Sequence, residues 1–306
     1  MKNLLDVSII IVNYNTKELT RNCLKSVFEQ TSGISFEVIV SDNGSKDGSI
    51  EMIKSDFPQV VLIENNANLG FGAANNRGLK IAKGKYVFYL NSDTVLLNNA
   101  VKFFFDYWEN SLEKDRIGAL GCNLIEKNGE TSVSELPFPF PKKSARALLF
   151  CIVKSMVSKD IWHKFKKCNI NTKNNRSVEA IIGADLFLKN DNNAKFNELF
   201  FLYCEEVELQ YRLFLQDKKR IIIDEPRIIH LEGASDCKIG LERFYSFKKK
   251  RNVREWQSRL VFFSLHFKYS FFTLIFKILL FFIYILPWNC GKNFCNFKAV
   301  FFRNRI

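Results

Sequence analysis

Residues 7–12, VSIIIV, form a β-branched run with almost no polar interruption. Such a run cannot alternate between a wet and a dry face. It fits a strand covered on both sides, the environment of a parallel sheet. Parallel neighbours need crossovers long enough to hold a helix, and the chain supplies them in turn. Leu19, Cys23, Leu24, Val27 and Phe28 recur at helical spacing over Lys17–Gln30, with Thr16 placed to cap that helix. A second strand is expected at 36–40 (FEVIV), a helix toward Ile53, a third strand at 60–63, a helix at 73–82 and a fourth strand at 86–90 (YVFYL). Right-handed crossovers then give a Rossmann-like α/β domain with helices on both faces. Ligands of such sheets bind outside the carboxyl ends of the strands. Three polar loops fall there, at 13–16, 42–45 and 91–94.

After residue 100 the pattern loosens. A helix is expected at 101–108, a strand at 117–125 and a turn at 127–130. Pro137, Pro139 and Pro141 mark an irregular link before an apolar helix at 144–157. A strand at 178–188, a helix at 199–216 with an acidic start and a short strand at 220–223 complete the body.

The formal net charge of +13 invites nucleic acid or an anionic membrane as partner. Its distribution narrows that choice. Residues 142–180 carry +8 and residues 242–306 carry +11, which leaves the rest of the chain at −6. A mildly acidic body without a helix-turn-helix, RNP or zinc element argues against nucleic acid. Eight cysteines without C-x-x-C spacing are expected to be reduced thiols, and the first residues carry no signal-peptide pattern.

Four groups could carry chemistry, each with a plainer alternative. Asp93 follows the fourth strand, where a carboxylate can hold a divalent cation or simply close a turn. Asp42 follows the second strand and could bind a nucleoside or form an Asx turn. Glu205, Glu206 and Glu208 crowd one helix start, as a general base with a raised pKa would require, or as helix-end electrostatics alone would favour. His230 is a metal ligand or a structural imidazole.

In this order the residues resemble the inverting glycosyltransferases of family 2, with a GT-A fold, and in particular their bacterial rhamnosyltransferase-like members. SIIIVNYNT (8–16), VIVSDNGSKDGS (38–49), NLGFGAANNRGLKIAKGKYVFYLNSDT (68–94), IIGADLFLK (181–189), FLYCEEVELQYRL (201–213) and HLEGAS (230–235) each resemble a family motif. The resemblance implies that Val12, Tyr14 and Asp42 contact the nucleoside and that Asn76 and Ser92 shape the nucleotide pocket. It implies Asp93 and His230 as ligands of Mg²⁺ or Mn²⁺. Gly183 and Ala184 would line the sugar and acceptor, and Glu206, or its neighbour Glu205, would be the general base. The usual first acid of the metal motif is Asn91 here, and the usual Glu-Asp pair is Glu205-Glu206. The motif Q-x-x-R-W of processive synthases is missing after the helix, which implies a single sugar addition. The implied donor is dTDP-rhamnose or a UDP-sugar, and the implied acceptor is a lipid-diphosphate-linked saccharide of surface-polysaccharide assembly. The competing reading is a non-enzymatic protein that binds membrane or nucleic acid through its basic tail.

On this reading residues 1–240 are the catalytic domain, with a nucleotide half (1–100) and an acceptor half (101–240) carrying the basic insertion 142–180. Residues 241–306 form a basic, Phe-rich helical tail. Over 261–286 the tail is expected to be one helix with His266, Ser270, Thr273, Lys277 and Tyr284 along a polar stripe. Such a helix suits the plane of an anionic membrane surface, which would place the protein peripherally on the cytoplasmic face of a bacterial inner membrane. The competing readings are a spanning helix or hairpin, and a helix packed against the catalytic domain or against a second subunit of a homodimer.

Overall fold

The computed structural model describes residues 5–156, 175–231 and 250–285. The chain divides into two compact units. The first comprises residues 1–138, 170–201 and 205–235, and the second comprises residues 139–169, 202–204 and 236–306.

The first unit opens with β1 (Leu5–Asn13), α1 (Lys17–Gln30), β2 (Phe36–Asp42), α2 (Ser49–Asp56), β3 (Val61–Glu64), α3 (Phe71–Leu79) and β4 (Gly84–Asn91). The expected alternation is present, with each boundary shifted by a few residues at most. Next come β5 (Thr94–Leu96), α4 (Ala100–Asn110), β6 (Ile117–Cys122) and β7 (Glu135–Leu136). In the second unit α5 (Pro141–Met156) follows. The first unit resumes with β8 (Arg176–Ser177), β9 (Ala180–Ile181), β10 (Asp185–Lys189), α6 (Glu205–Leu215), β11 (Lys219–Ile223) and β12 (Ile228–His230). The second unit ends in α7 (Lys250–His266) and α8 (Phe271–Ile285).

Eight strands form one sheet in the order β3-β2-β1-β4-β10-β6-β11-β8. Strands β3, β2, β1 and β4 run parallel, as do β6 and β11, whereas β10 runs antiparallel to β4 and β6, and β8 antiparallel to β11. The predicted mostly parallel, GT-A-like sheet is therefore present, with one reversed strand at its centre. Residues Val7 to Ile11 of β1 are wholly covered, because both faces carry a core. Ile9, Ile11, Phe88 and Phe104 fill one face, and Ile10, Ile39, Val87 and Tyr89 the other.

Register brings the strand ends level. Asn13 pairs with Asp42, and Val12 with Asn91. The reversed strand β10 begins beside them, with Asp185 opposite Leu90.

Three expectations need correction. The single strand at 178–188 is broken into β8, β9 and β10. The fully buried Gln210 of α6 binds Ile181 at both backbone atoms, accepting from its N–H and donating to its carbonyl at 2.7 Å each. Ile181 is thus held by Gln210 on one side and by its ladder partner Glu135 of β7 on the other, and the chain turns at 183–184. The helix expected from 199 begins only at Glu205, because Tyr203 and Cys204 hold left-handed backbone at φ 70° and 65°. Upstream, the Phe71 N–H donates to the Phe201 carbonyl at 3.0 Å, and a side chain at Gly70 (φ 88°) would overlap that carbonyl. Lastly, the tail is two helices. The Phe267 carbonyl accepts from the Ser270 N–H and the Thr273 hydroxyl, both at 3.0 Å, which closes a turn at 267–270. The continuous polar stripe is thereby broken: His266 lies on α7, and Thr273 is buried on α8.

Within the second unit, α5 packs against α8. The apolar helix expected inside the acceptor half thus groups with the tail. Residues 157–174 and 232–249, which include the middle of the basic insertion and the Gly233–Ser235 end of the HLEGAS motif, lie outside the described residues.

Candidate active site

The carboxyl ends of β1, β2 and β4 are tied by one buried hydrogen-bond chain. Asn13 is fully buried and uses both ends of its amide. Its Nδ2 donates to Asp42 Oδ2 at 2.6 Å and Ser45 Oγ at 3.0 Å, and its Oδ1 accepts from the Thr16 and Thr20 hydroxyls at 2.7 and 2.8 Å. Thr16 Oγ1 then lies 3.1 Å from Ser92 Oγ. Thr16 forms no side-chain cap on α1, because its hydroxyl is spent on this chain instead. Asp42 is also fully buried, and its Oδ1 accepts from the backbone N–H groups of Gly44 and Ser45 at 2.9 and 2.8 Å. Both Asp42 oxygens are therefore engaged in holding the 42–45 turn. Beside that turn Val12 is half-buried and Tyr14 is 47% exposed.

Asp93 and His230 meet through two backbone pairings. Thr94 faces His230 across the β5–β12 ladder, and the Leu231 N–H donates to the Asp93 carbonyl at 2.8 Å. A third bond, from the His230 N–H to Ile125 O at 2.9 Å, fixes β12 from the other side. His230 Nε2 consequently stands 3.2 Å from Asp93 Oδ1. Among the described residues neither imidazole nitrogen has a hydrogen-bond partner, although the ring is buried. A buried, unsatisfied imidazole costs free energy unless a ligand completes it. Asp93 keeps 18% of its side chain exposed, enough for access. This oxygen–nitrogen donor set fits a divalent cation. Among the described residues no group of three or more His, Cys, Asp or Glu forms a metal cluster, so the pair would leave most of the coordination sphere to other ligands.

The α6 carboxylates are separated by their surroundings. Glu205 is buried, with Oε2 lacking a partner, and burial together with the charge of Glu206 pushes its pKa well above the ordinary carboxylate range. Glu206 is only half-buried and lies against Gly183, where an added Cβ would sit 3.4 Å from Glu206 Cβ. Glu208 is taken up by Arg212 at 3.1 Å. The neighbouring Ala184 carbonyl accepts from the Asn91 N–H at 3.0 Å. The Gly183-Ala184 turn therefore touches the Glu206 helix at one residue and the Asn91–Thr94 turn at the next. Asn76 sits elsewhere: its amide binds the Phe196 backbone at both atoms and Glu198 Oε1, all at 2.9 Å, so its polar atoms hold the segment leading to α6.

Sequence reading alone missed Asn13, Gln210 and Asp185. Asp185 is fully buried on β10, with Oδ2 accepting from the Cys122 N–H at 2.6 Å and Oδ1 without a partner. Burial raises its pKa to about 7, against a smaller opposing pull from Cys122 and His230. A carboxyl whose pKa is raised on folding holds a proton that the unfolded chain has already released. Its stabilisation is therefore lost as pH rises from about 4 to about 7. Asp185→Asn is expected to remove that dependence and to stabilise the protein above pH 7 by on the order of 2–4 kcal/mol. Urea unfolding at pH 5 and pH 8 measures it; an unchanged slope between the two would refute it.

A mostly parallel sheet covered on both faces, with polar turns at its carboxyl edge, is the architecture of the GT-A-like fold. The model of the family described as "Glycosyl transferase family 2" matches residues 8–145. A UDP-Glc:α-D-GlcNAc-diphosphoundecaprenol β-1,3-glucosyltransferase of Escherichia coli is 36% identical over 46% of this chain and 68% of its own length. The chain belongs to glycosyl transferase family 2. An uncharacterized glycosyltransferase of Bacillus subtilis is 32% identical, and the match spans 46% of this chain but only 38% of that protein. Among solved structures, a mannosyltransferase of Pyrobaculum calidifontis, in complex with GDP-Man and Mn²⁺, shares the fold over all of this chain and 77% of its own, with TM-score 0.54 and 15% identity.

Proposed function

We propose that this chain transfers one sugar from a nucleotide-sugar, dTDP-rhamnose or a UDP-sugar, to a lipid-diphosphate-linked saccharide, with inversion at the anomeric carbon. The observation that carries this reading is the Gly183-Ala184 turn, which meets Glu206 through Gly183 and the Asn91 N–H through Ala184. A base and a site for a departing diphosphate are thereby held on either side of one short segment. Glu206 takes the proton from the acceptor hydroxyl as that oxygen attacks the anomeric carbon, while the bond to the nucleoside diphosphate breaks. Asp93 and His230 would hold a divalent cation, Mg²⁺ or Mn²⁺, which when bound supplies positive charge to the leaving diphosphate. Tyr14 and Val12 border the nucleoside, Asp42 acts through the turn it holds, and Ser92 is oriented by Thr16. Asn76 shapes the pocket indirectly, through the backbone it binds.

The acceptor class is supported by the name of the E. coli relative, which specifies a diphosphoundecaprenol-linked sugar. The metal is supported by the Mn²⁺ of the Pyrobaculum enzyme and by the unsatisfied imidazole. Work on such an acceptor would place the protein peripherally on the cytoplasmic face of the membrane, in surface-polysaccharide assembly. Thermal-shift titration against UDP, dTDP and GDP with and without Mn²⁺ tests the donor side. The expected result is stabilisation by UDP or dTDP that grows with Mn²⁺, since a ligand of the native state raises Tm by mass action. No stabilisation by any nucleotide, with or without metal, would leave the non-enzymatic reading.

A further inference from the structure

Helix α8 shows two apolar faces. One packs inward: Thr273, Phe276 and Leu280 are buried, with Phe276 5.6 Å from the Trp256 ring and 5.1 Å, edge-on, from Phe263. The other points outward. Phe271, Leu274, Ile278, Phe281 and Phe282 are between 41% and 69% exposed, and Tyr269, in the turn before α8, is 92% exposed. Their spacing of 3, 4, 3 and 1 along α8 is that of a single helical face. A contiguous apolar surface of this kind on a soluble unit marks an interaction site.

Charge identifies the occupant. No acidic residue occurs in α5 or α8, and none follows Glu255 in the whole chain. Lys277 flanks the outward row, Lys268 lies over the Tyr269 ring at 5.4 Å, and Lys142 of α5 lies over the Phe272 ring at 5.7 Å. Apolar residues bordered only by cations, with an aromatic side chain at the turn, match the boundary between headgroups and acyl chains of an anionic bilayer. The 15 described residues of α8 reach about 22 Å, against a hydrocarbon core of about 30 Å. Among the described residues no helix is long and apolar enough to cross.

We infer that α8, with the 267–270 turn, lies in the plane of an anionic phospholipid surface, its 271–274–278–281–282 row in the acyl boundary and Lys268 and Lys277 at the phosphates. This deepens the membrane part of the proposed function, and it assigns the contact to one helix face.

The test is co-sedimentation of the full chain with vesicles of phosphatidylcholine alone and of phosphatidylcholine mixed with phosphatidylglycerol. The wild type is expected to partition onto the mixed vesicles and to be released by salt. Leu274→Ser/Ile278→Ser/Phe281→Ser, all at exposed positions, should lower that partition by more than about tenfold. Lys268→Ser/Lys277→Ser should lower it about fivefold per lysine and weaken the salt dependence. Circular dichroism and Tm of each variant should match wild type. Equal binding by the triple variant, or no binding by the wild type, overturns the inference. So does a dimer in sedimentation velocity that the triple variant dissolves while vesicle binding stays at background. The readout is lipid partition alone, so its failure leaves sugar transfer untested, and loss of transfer leaves it standing.

Discussion

Glu206→Gln is expected to lower sugar transfer by about 10³-fold, within the range of roughly 10²–10⁴ that a positioned general base supplies. Glu205→Gln, one residue away, should change it no more than a few-fold. The contrast follows from burial. Glu205 is enclosed, and burial and the neighbouring Glu206 push its pKa up, so a neutral amide of the same shape is expected to be tolerated there. Glu206 is half-buried against Gly183, and an amide there cannot accept a proton from the acceptor hydroxyl. Nucleotide binding should be the same for both variants and wild type, since neither carboxylate belongs to the turns at 42–45 or 91–94. The check is kcat alongside the nucleotide Kd and the circular dichroism spectrum. A Glu206→Gln enzyme with near wild-type kcat, or a Glu205→Gln enzyme without activity, would move the base to Glu205 or off this helix.

The same pair of residues shows how much of the site the sequence carried. Its motifs were legible because each is local: a strand ends, the chain turns, and a polar residue follows. The parallel half of the sheet was legible for the same reason, since the β1 run leaves no alternative to burial on both faces. Long-range partners were not legible. Gln210 reads as one polar residue on an amphipathic helix until Ile181, 29 positions away, is seen to need its amide. Asp42 reads equally as a ligand contact or an Asx turn; its oxygens do close the 42–45 turn, but the bond to Asn13, also 29 positions distant, is not visible in the sequence. The reversed β10 at the centre of the sheet is the largest case. Its pattern of buried residues fits a parallel or an antiparallel neighbour equally well, and only the path of the chain decides. Register and pairing depend on distant partners, and a single sequence does not state them.

The start of α6 shows the same limit from the side of conformation. Helical periodicity extends upstream to 199, yet Tyr203 and Cys204 adopt left-handed backbone. Non-glycine residues there cost on the order of 1 kcal/mol or more each. The two residues immediately precede the carboxylate pair at the start of α6. Strain beside a reactive group is where local preference and fold are expected to disagree.

Asp93→Asn is expected to lower transfer by about 10²–10³-fold, comparable to the loss of one preorganised contact to developing charge. Chelation of divalent metal should cost the wild type a similar factor and cost the variant almost nothing more. The non-additivity is the informative part, because two changes that remove one interaction do not sum. Among the described residues Asp93 is the carboxylate paired with His230 Nε2, at 3.2 Å, and Asn91 stands two residues before it. With a single protein carboxylate, the cation's affinity should rest heavily on the nucleotide's own phosphates. Mn²⁺ should therefore bind weakly to the free protein and strongly to its nucleotide complex, and nucleotide should bind more tightly with Mn²⁺ by the same factor, as linkage requires. Asp93→Asn should abolish that mutual enhancement while leaving metal-free nucleotide affinity unchanged, since the 42–45 turn and Tyr14 are untouched. Calorimetric titration of UDP or dTDP into both proteins, with and without Mn²⁺, measures all four affinities. Undiminished enhancement in the variant would mean that the cation is held by the phosphates with no protein carboxylate, and that Asp93 serves only to close the turn it shares with His230.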